Sequence, residues 1–207
     1  MRDEFVRAGL DEGDLAADPV QQFERWFGDT ERAGYRMPNT MTLATASATG
    51  QPSLRMVLLK FFDAKGFVFY TNYESRKAKE ISENPQVALH FPWHDLDRQV
   101  IITGRAEKIP TAESVKYFLT RPRGSQIGAW VSNQSHIITS RQMLLSKFEE
   151  MKRKFENKEV PLPSFWGGYR VVPDTFEFWQ GRENRLHDRF LYSKTESGSW
   201  HIGRLAP

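Results

Sequence analysis

The stretch MTLATASATGQPSLRMVLLKFFDAKGFVFYTN, residues 41–72, determines the fold class of this chain. It contains three runs rich in β-branched and aromatic residues, namely Met41–Ala46, Ser53–Phe61 and Phe67–Asn72. The links between the runs are short and contain Gly50 and Gly66, and glycine is favoured in tight turns. Because such links cannot hold a helical crossover, the stretch predicts an antiparallel meander.

The rest of the chain extends this pattern on both sides. Asp18 and Pro19 predict the start of a helix, and Asn84–Pro85 predicts the end of a second one that begins near Ser75. Two further helices are expected, one capped by Thr111 and one capped by Ser140. The remaining predicted strands are Val87–Phe91, Gln99–Lys108 with a bulge at Gly104, Tyr169–Val172, Thr175–Gln180 after a turn at Pro173–Asp174, Arg185–Tyr192 and Trp200–Arg204.

About nine strands and four helices with short links predict a mainly β fold, an antiparallel barrel with helices around it. Residues 19–207 are expected to form a single domain, and residues 1–18 a mobile N-terminal arm. A length of 207 residues with 39% hydrophobic content suffices for one substantial core.

The charge balance narrows the choice of partners. A formal net charge of +3 is too small to indicate nucleic acid as the main partner. The chain has no cysteine and no apolar run of membrane-spanning length, and Met1–Asp18 lacks the apolar core of a signal peptide. We therefore expect a cytoplasmic protein without disulfides or thiolate chemistry.

Two groups of cations are candidates for binding an anion. Arg55 and Lys60 interrupt an apolar run, where each charge needs a partner unless it reaches solvent from a strand end. Arg76 and Lys77 follow Ser75 at a helix start, where cations oppose the helix dipole. A phosphate bound there would reverse that effect, and a solvated charge pair is the alternative.

A second anion site can be drawn from Tyr117, Arg121 and Ser125, since positions four apart share a helix face. The structural alternative is that Tyr117 packs in the core and Arg121 caps carbonyl groups at the helix end. Trp179 is a candidate for packing against an aromatic ligand, although tryptophans on strands are more often core residues.

Near the C-terminus, the run from Arg185 to Arg189 lies between two apolar runs and predicts a strand. On a strand, Arg185, His187 and Arg189 share one face, and their mutual repulsion favours a bound ligand against them. The sequence has no nucleophile elbow, zinc-protease helix, Walker loop or dinucleotide fingerprint. The other histidines lack metal-ligand spacing, so no metal site is predicted.

Several longer motifs then occur in one order over nearly the whole chain. They are Arg55–Lys60, Phe69–Asn72, Glu74–Lys77, Arg98–Val100, Arg121–Arg123, Ser125–Trp130, Phe178–Gly181, Asn184–Arg189 and Arg204–Pro207. In these motifs the chain resembles the pyridoxamine/pyridoxine 5′-phosphate oxidase family. The resemblance implies an FMN-binding split barrel of Greek-key type that works as a homodimer, with two FMN sites at the interface.

The resemblance also implies roles for individual residues. The FMN contacts it implies are Arg55, Met56, Val57, Leu58, Leu59, Lys60, Tyr70, Thr71, Arg76, Lys77, Gln99, Gln134, Ser135, Trp179 and Arg189. The substrate contacts it implies are Arg2, Lys60, Tyr117, Arg121, Ser125, Arg185, Leu186 and His187, with Arg185 and His187 as the expected catalytic residues. The arm departs from the family pattern, because Phe5 stands where a tyrosine is common and lacks its hydroxyl.

The implied reaction oxidises pyridoxamine or pyridoxine 5′-phosphate to pyridoxal 5′-phosphate, which is a step of vitamin B6 synthesis and salvage. A hydride passes to flavin N5, and O₂ then reoxidises the flavin and yields H₂O₂. Two alternatives stay open at this point. One is a flavin reductase or other flavoenzyme acting on a substrate without phosphate, and the other is a non-catalytic carrier of FMN or pyridoxal phosphate.

Overall fold

A computed structural model describes residues 8–207, which form nine β-strands and five α-helices. The strands are β1 (Thr40–Ala46), β2 (Pro52–Leu58), β3 (Phe61–Asp63), β4 (Gly66–Asn72), β5 (Gln86–Trp93), β6 (Arg98–Lys108), β7 (Trp166–Gln180), β8 (Asp188–Lys194) and β9 (Trp200–Leu205). The helices are α1 (Pro19–Arg32), α2 (Arg76–Glu83), α3 (Thr111–Thr120), α4 (Arg123–Val131) and α5 (Arg141–Lys154). The mainly β class and the strand number agree with the sequence-based expectation.

All nine strands belong to one antiparallel sheet that curls into a split barrel. Its order is β2-β1-β5-β6-β7-β4-β3, with β8 paired to β7 and β9 paired to β8. Strands β2 and β3 end up at opposite ends of this order, although only Leu59 and Lys60 join them. Such a short link between the two ends is possible only because the sheet curls back on itself.

The prediction of one continuous strand over Ser53–Phe61 is wrong, because this link interrupts it. The backbone N–H of Leu59 donates to the Asn39 carbonyl at 2.8 Å, while that of Lys60 donates to the Val68 carbonyl at 2.9 Å. The two residues thus leave the β1 neighbourhood and enter that of β4. Apolar periodicity cannot reveal such a change, because both halves of the run are equally suited to a strand.

The prediction of a turn between two strands within β7 is also wrong. Pro173 and Asp174 do not form a turn between two strands, because pairing with β6 continues on both sides of them. Gly104 lies opposite Pro173 and Thr103 lies opposite Thr175, so Asp174 is the extra residue of a bulge. The irregularity predicted at Gly104 is present at that position, but the extra residue lies in β7 and not in the strand that contains Gly104. A Cβ at Gly104 would come within 2.9 Å of the Pro173 Cα, so the close approach of the two strands requires glycine.

Two of the helix predictions also need correction. Helix α3 begins at Thr111 itself after Pro110, so Thr111 does not cap it. Helix α4 is a fifth helix that the sequence did not predict, since its segment contains two glycines and has weak helical propensity. Asp18 and Ser140 do cap α1 and α5, accepting hydrogen bonds from the backbone of Val20 and Met143.

The core has two parts. The larger part fills the barrel, where α1 contributes Phe23 and Trp26 against the aromatic side chains of β4, β5 and β7. The smaller part lies beneath α3, α4 and α5 and contains Phe118, Ile127 and Trp166. Within residues 8–207, no helix is long and apolar enough to span a membrane.

The N-terminal arm is described from residue 8 onward. Leu10 and Ala16 are buried, and the Tyr192 hydroxyl donates to the Ala16 carbonyl at 2.8 Å. The predicted mobility of residues 1–18 is untested, and Arg2 and Phe5 lie outside the described residues.

A buried ion pair attaches α1 to the sheet. Arg98, at 7% exposure, donates to Asp29 at 2.6 Å and to Gln180 at 2.7 Å, and its guanidinium lies 4.2 Å from the centre of the Trp26 ring. Removing one member of a buried pair leaves the other charge without compensation. The free energy of unfolding then typically falls by about 3–5 kcal/mol.

We therefore expect Asp29→Ala to lower the free energy of unfolding by about 3 kcal/mol. Urea denaturation at matched protein concentration measures this change. Glu24→Ala, on an exposed position of the same helix, is the control and should change the stability by less than about 0.5 kcal/mol. Equal, small effects of the two substitutions would show that the buried pair does not hold α1.

Candidate functional site

A pocket of about 550 Å³ lies where β2, β4, α2, α3 and the segment after α4 meet. It contains twelve residues singled out from the sequence: Arg55, Met56, Val57, Leu58, Lys60, Tyr70, Thr71, Lys77, Tyr117, Arg121, Ser125 and Gln134. Thr120, Pro122 and Trp166 complete its lining. Arg55, Lys60 and Lys77 thus face one cavity together with Arg121 of the second predicted anion site, whereas Arg76 does not line it.

Lys77 is held at one end of the pocket by neutral oxygens. Its Nζ donates to Gln134 Oε1 at 3.0 Å, to Thr71 Oγ1 at 3.2 Å and to Ser75 Oγ at 3.4 Å. Burial, together with the nearby charge of Arg55, lowers the pKa of Lys77 to about 8. The charged lysine therefore lacks a counter-ion among the described residues that contact it, which suits it to receive one.

Arg55 reaches the same end of the pocket from β2. Its guanidinium donates to the Leu43 carbonyl at 3.2 Å and pairs with Glu80 at 3.3 Å. Burial lowers the pKa of Arg55, and the charge of Glu80 opposes that effect. Glu80, Thr45 and Ser53 thus hold a guanidinium that lines this end of the pocket.

Glu80 is the fixed point of this arrangement, with 5% exposure. Burial would raise its pKa, but hydrogen bonds from Ser53, Thr45 and Arg76 lower the pKa to about 2. The Arg76 guanidinium donates to Glu80 at 2.8 Å and is largely exposed. Arg76 therefore supports the pocket through Glu80 and is not one of the residues that line it.

The other end of the pocket is aromatic and cationic. The rings of Tyr117, Tyr70 and Trp166 are nearly parallel, with Tyr70 centred 4.0 Å from Tyr117 and 5.2 Å from Trp166. The Arg121 guanidinium lies 4.7 Å from the centre of the Trp166 ring. Burial lowers the pKa of Arg121 and raises the pKa of Tyr70 to about 12.

One atom at this end is conspicuous. Arg121 Nη1 is buried and has no hydrogen-bond partner among the described residues. A buried donor without a partner costs about 1–3 kcal/mol, more when it is charged, so its presence indicates a ligand acceptor. No carboxylate stands among the residues that line the pocket. Four cations around one cavity without an acidic side chain make it a site for phosphorylated or otherwise anionic ligands.

Sequence reasoning missed Trp166 as a site residue. The available signal was the Gly167–Gly168 pair that follows it, since adjacent glycines on a strand mark a close approach. A Cβ on Gly168 would come within 2.9 Å of the Tyr70 ring. The glycine therefore permits the ring stack that supports Arg121.

A second group of predicted residues lies elsewhere. Gln99, Trp179 and Arg189 are directly opposite one another on β6, β7 and β8, so their side chains form a row on one face of the sheet. The neighbouring Val100, Phe178 and Phe190 are buried on the core face, which places the row on the outer face. The Gln99 amide also bonds to His90 at 3.0 Å.

The prediction that Arg185, His187 and Arg189 share a strand face is wrong. Strand β8 begins only at Asp188, and Glu183–Arg185 forms a 3₁₀ turn in which Asn184 and Arg185 have positive φ. Arg189 is neutralised by Glu177 at 2.9 Å and donates to the Ala206 carbonyl at 2.7 Å. The repulsion inferred from the alternation is thus avoided by backbone geometry and by an ion pair.

The loop before β8 nevertheless places three of the predicted residues beside Trp179. The His187 ring packs on Trp179, with ring centres 4.5 Å apart, and Arg185 and Leu186 are exposed beside it. Ser135 is exposed next to Gln134, and Leu59 is buried in the core, so neither lines the pocket.

The two groups are far apart within one chain. Thr71 in the pocket lies opposite Gly167, while Gln99 in the outer row lies opposite Trp179. Trp179 stands twelve positions after Gly167 on β7, on the other side of the bulge at Asp174. Arg55, opposite the buried Leu43, also points to the core side of the sheet, whereas Trp179 points outward.

Fold and pocket together define a split barrel with a cation-lined cavity suited to a phosphate. Residues 27–155 match the family model described as pyridoxamine 5′-phosphate oxidase. Residues 166–207 match the model described as the pyridoxine 5′-phosphate oxidase C-terminal dimerisation region. The chain belongs to the pyridoxamine 5′-phosphate oxidase family.

Individual relatives agree with this assignment. A pyridoxine/pyridoxamine 5′-phosphate oxidase of Rippkaea orientalis is 62% identical over 207 residues, covering 100% of this chain and 98% of the relative. The protein of that name from Escherichia fergusonii is 56% identical, covering 100% of this chain and 94% of the relative.

Solved structures show the same fold. PhzG from Burkholderia lata, in complex with tetrahydrophenazine-1-carboxylic acid, superposes with a TM-score of 0.90 at 28% identity, covering 96% of this chain and 98% of PhzG. An FMN-binding protein from Nostoc punctiforme related to pyridoxamine 5′-phosphate oxidase superposes with a TM-score of 0.76 at 14% identity, covering 93% of this chain and all of that one.

Proposed function

We propose that this protein uses FMN and O₂ to oxidise pyridoxamine 5′-phosphate and pyridoxine 5′-phosphate to pyridoxal 5′-phosphate. The observation that carries the proposal is the pocket with four cations, no lining carboxylate and the unpartnered Arg121 Nη1. Family membership and relatives of up to 62% identity support the same activity. A cytoplasmic location is part of the proposal and rests on the composition without cysteine.

The donor set at the α2 end fits the phosphate of FMN. Lys77 and Arg55 supply the charge, and Thr71 and Gln134 supply polar contacts beside it. The start of α2 adds free backbone N–H groups, which favour an anion there. We assign Arg76 to this site indirectly, through its bond to Glu80.

The donor set at the α3 end fits the phosphate of the substrate. Arg121, Tyr117, Ser125 and Lys60 present two cations and two hydroxyl groups to one end of the cavity. Trp166 holds the guanidinium of Arg121 in place by a cation–π contact. Two separate anion anchors would fix cofactor and substrate relative to each other, which is the main contribution a protein makes to such a reaction.

When bound, FMN supplies the two-electron oxidation and the subsequent reaction with O₂ that yields H₂O₂. The chain's own residues bind and orient FMN and the substrate and shield them from water. We infer that Arg185 and His187 orient the pyridine ring of the substrate, with exposed Leu186 between them. Arg189 and Trp179 would border the flavin, where a guanidinium stabilises negative charge that develops on reduction.

We further propose that the protein acts as a homodimer with both FMN sites at the interface. The two residue groups lie at opposite ends of β7, and Arg55 and Trp179 point to opposite faces of the sheet, which supports a second copy supplying the outer row to each pocket. Trp179, Arg185, His187 and Arg189 all fall within residues 166–207, the match to the dimerisation region. Leu54 and Met56 on β2 are 72% and 73% exposed, an apolar surface that a partner would cover.

The proposal is tested by incubating FMN-loaded protein with pyridoxamine 5′-phosphate in air. We expect pyridoxal 5′-phosphate and H₂O₂ in equal amounts. Arg121→Leu should raise KM roughly 10- to 100-fold, the effect of losing a charge-assisted hydrogen bond of about 1.5–3 kcal/mol. Lys116→Leu, on an exposed position of α3 away from the pocket, is the matched control and should leave KM unchanged.

Absence of turnover would overturn the oxidase proposal and leave a carrier of FMN or pyridoxal phosphate. Equal turnover of pyridoxamine with and without its phosphate, unaffected by Arg121→Leu, would instead favour a flavoenzyme whose substrate has no phosphate.

The lowered pKa of Lys77 predicts a pH dependence of FMN binding. Phosphate favours the protonated lysine, so affinity is greatest below the free-protein pKa of about 8 and falls as the pH rises through it. Between pH 7 and pH 9 we expect FMN affinity to fall roughly tenfold, measured by quenching of flavin fluorescence. Lys77→Arg stays charged and should remove this dependence. The same decline in Lys77→Arg would contradict the role of Lys77.

A further inference from the structure

The loop from Gly181 to His187 is fixed firmly at its first residue. Gln180 is fully buried, and its amide donates to the carbonyls of Leu96 and Asp97 at 3.3 Å each. The backbone N–H of Gly181 donates to the Asp97 carbonyl at 2.7 Å. The loop that contains Arg185 and His187 therefore starts from a rigid point.

Its other end is fixed by Asp188. Asp188 Oδ2 accepts from the backbone N–H of Leu10 at 3.0 Å and pairs with Arg182 Nε at 3.3 Å. Asp188 Oδ1 accepts from Arg204 Nη1 at 2.9 Å. The Asp188 side chain is 14% exposed, and its partners Arg182 and Arg204 are 35% and 41% exposed. One carboxylate thus joins the loop, the last strand and the segment that precedes α1.

The segment before α1 fits closely against this ion pair. Gly9 has φ +70°, and a Cβ there would lie 2.9 Å from Asp188 Oδ2 and closer still to the Arg182 guanidinium. Only glycine adopts this backbone conformation easily and also leaves room for the side chains of Asp188 and Arg182. Leu10 then anchors the segment in the core at 3% exposure.

Arg182 connects this junction to His187. Its backbone N–H donates to His187 Nδ1 at 3.1 Å, while its side chain pairs with Asp188. An N–H group can only donate, so Nδ1 must be the unprotonated nitrogen of the neutral ring. The proton of the neutral ring is then on Nε2, and the ring packs on Trp179.

We propose that Asp188 is a positioning residue that acts through Arg182 to hold His187 as an Nε2–H hydrogen-bond donor. In this state His187 donates a hydrogen bond to its ligand and does not remove a proton through Nδ1. The segment at Gly9–Leu10 locks the arrangement from the other side. The consequence for substrate rests on the proposed function, whereas the tautomer and its dependence on Asp188 do not.

The direct test is ¹⁵N NMR of the histidine rings in the FMN-loaded full chain. We expect the His187 signals of an unprotonated Nδ1 and a protonated Nε2, assigned with His187→Gln. Asp188→Asn keeps an acceptor for Leu10 but loses both ion pairs, and should give a mixture of tautomers. Asp11→Asn is the matched control, because it removes only the outer, exposed partner of Arg204 at 3.1 Å.

Kinetics supply a second readout. Asp188→Asn should raise KM for pyridoxamine 5′-phosphate about tenfold while FMN affinity stays unchanged, since the loop positions substrate contacts only. Gly9→Ala, which presses on Arg182 from the opposite side, should reproduce both the tautomer mixture and the KM effect. It serves as the second variant if Asp188→Asn does not fold.

A wild-type spectrum with the proton on Nδ1 would overturn the proposal, whether or not the variants fold. A wild-type spectrum and KM in folded Asp188→Asn or Gly9→Ala would overturn it as well. Failure of the oxidase reaction with the expected tautomer in place would count against the proposed function alone.

Discussion

Strand β7 is the constraint on which the rest of the structure depends. Its fifteen residues pair with β6 along most of their length, with β4 at one end and with β8 at the other. The first half places Trp166 and two glycines beside the pocket, and the second half places Trp179 on the outer face. The bulge at Asp174 keeps pairing continuous while the sheet curls.

The cations of the pocket differ in how far the chain itself compensates their charge. Glu80 neutralises part of the charge of Arg55 and Arg76 and is held ionised by hydroxyl groups. Lys77 instead has neutral partners only, and Arg121 relies on the Trp166 ring. Arg55, which we assign to a phosphate group, is thus paired within the chain, whereas Lys77 and Arg121 have no carboxylate partner among the described residues. Such uncompensated charge costs stability, as expected where function sets the sequence.

The sequence predicted well those features that depend only on residues close together in the chain. The cap at Asp18, the turns with Gly50 and Gly66 and the irregularity at Gly104 all depend on neighbouring residues and are confirmed. Tyr117, Arg121 and Ser125 also line one pocket as predicted, although Arg121 and Pro122 are extended and the three residues do not share one helix.

The failures have a common physical origin in long-range contacts. The break at Leu59–Lys60 depends on which strand each half meets, and α4 forms despite weak propensity because Ile127 packs against Phe118 and Trp166. The alternation from Arg185 to Arg189 resembled a strand, but positive φ at Asn184 and Arg185 turns the chain before β8 begins. Separation of the site residues into two groups follows from strand order, which periodicity does not encode.

The central claim is that each site combines the pocket of one chain with the outer row and the adjacent Arg185–His187 loop of another. A hybrid dimer tests it most directly, made by co-expressing Arg121→Leu and Arg185→Leu chains with different tags and purifying on both. If the claim holds, one of the two sites in the hybrid is intact, and kcat/KM per dimer should reach about half the wild-type value. Activity no higher than that of either variant homodimer would contradict it and place each site within a single chain.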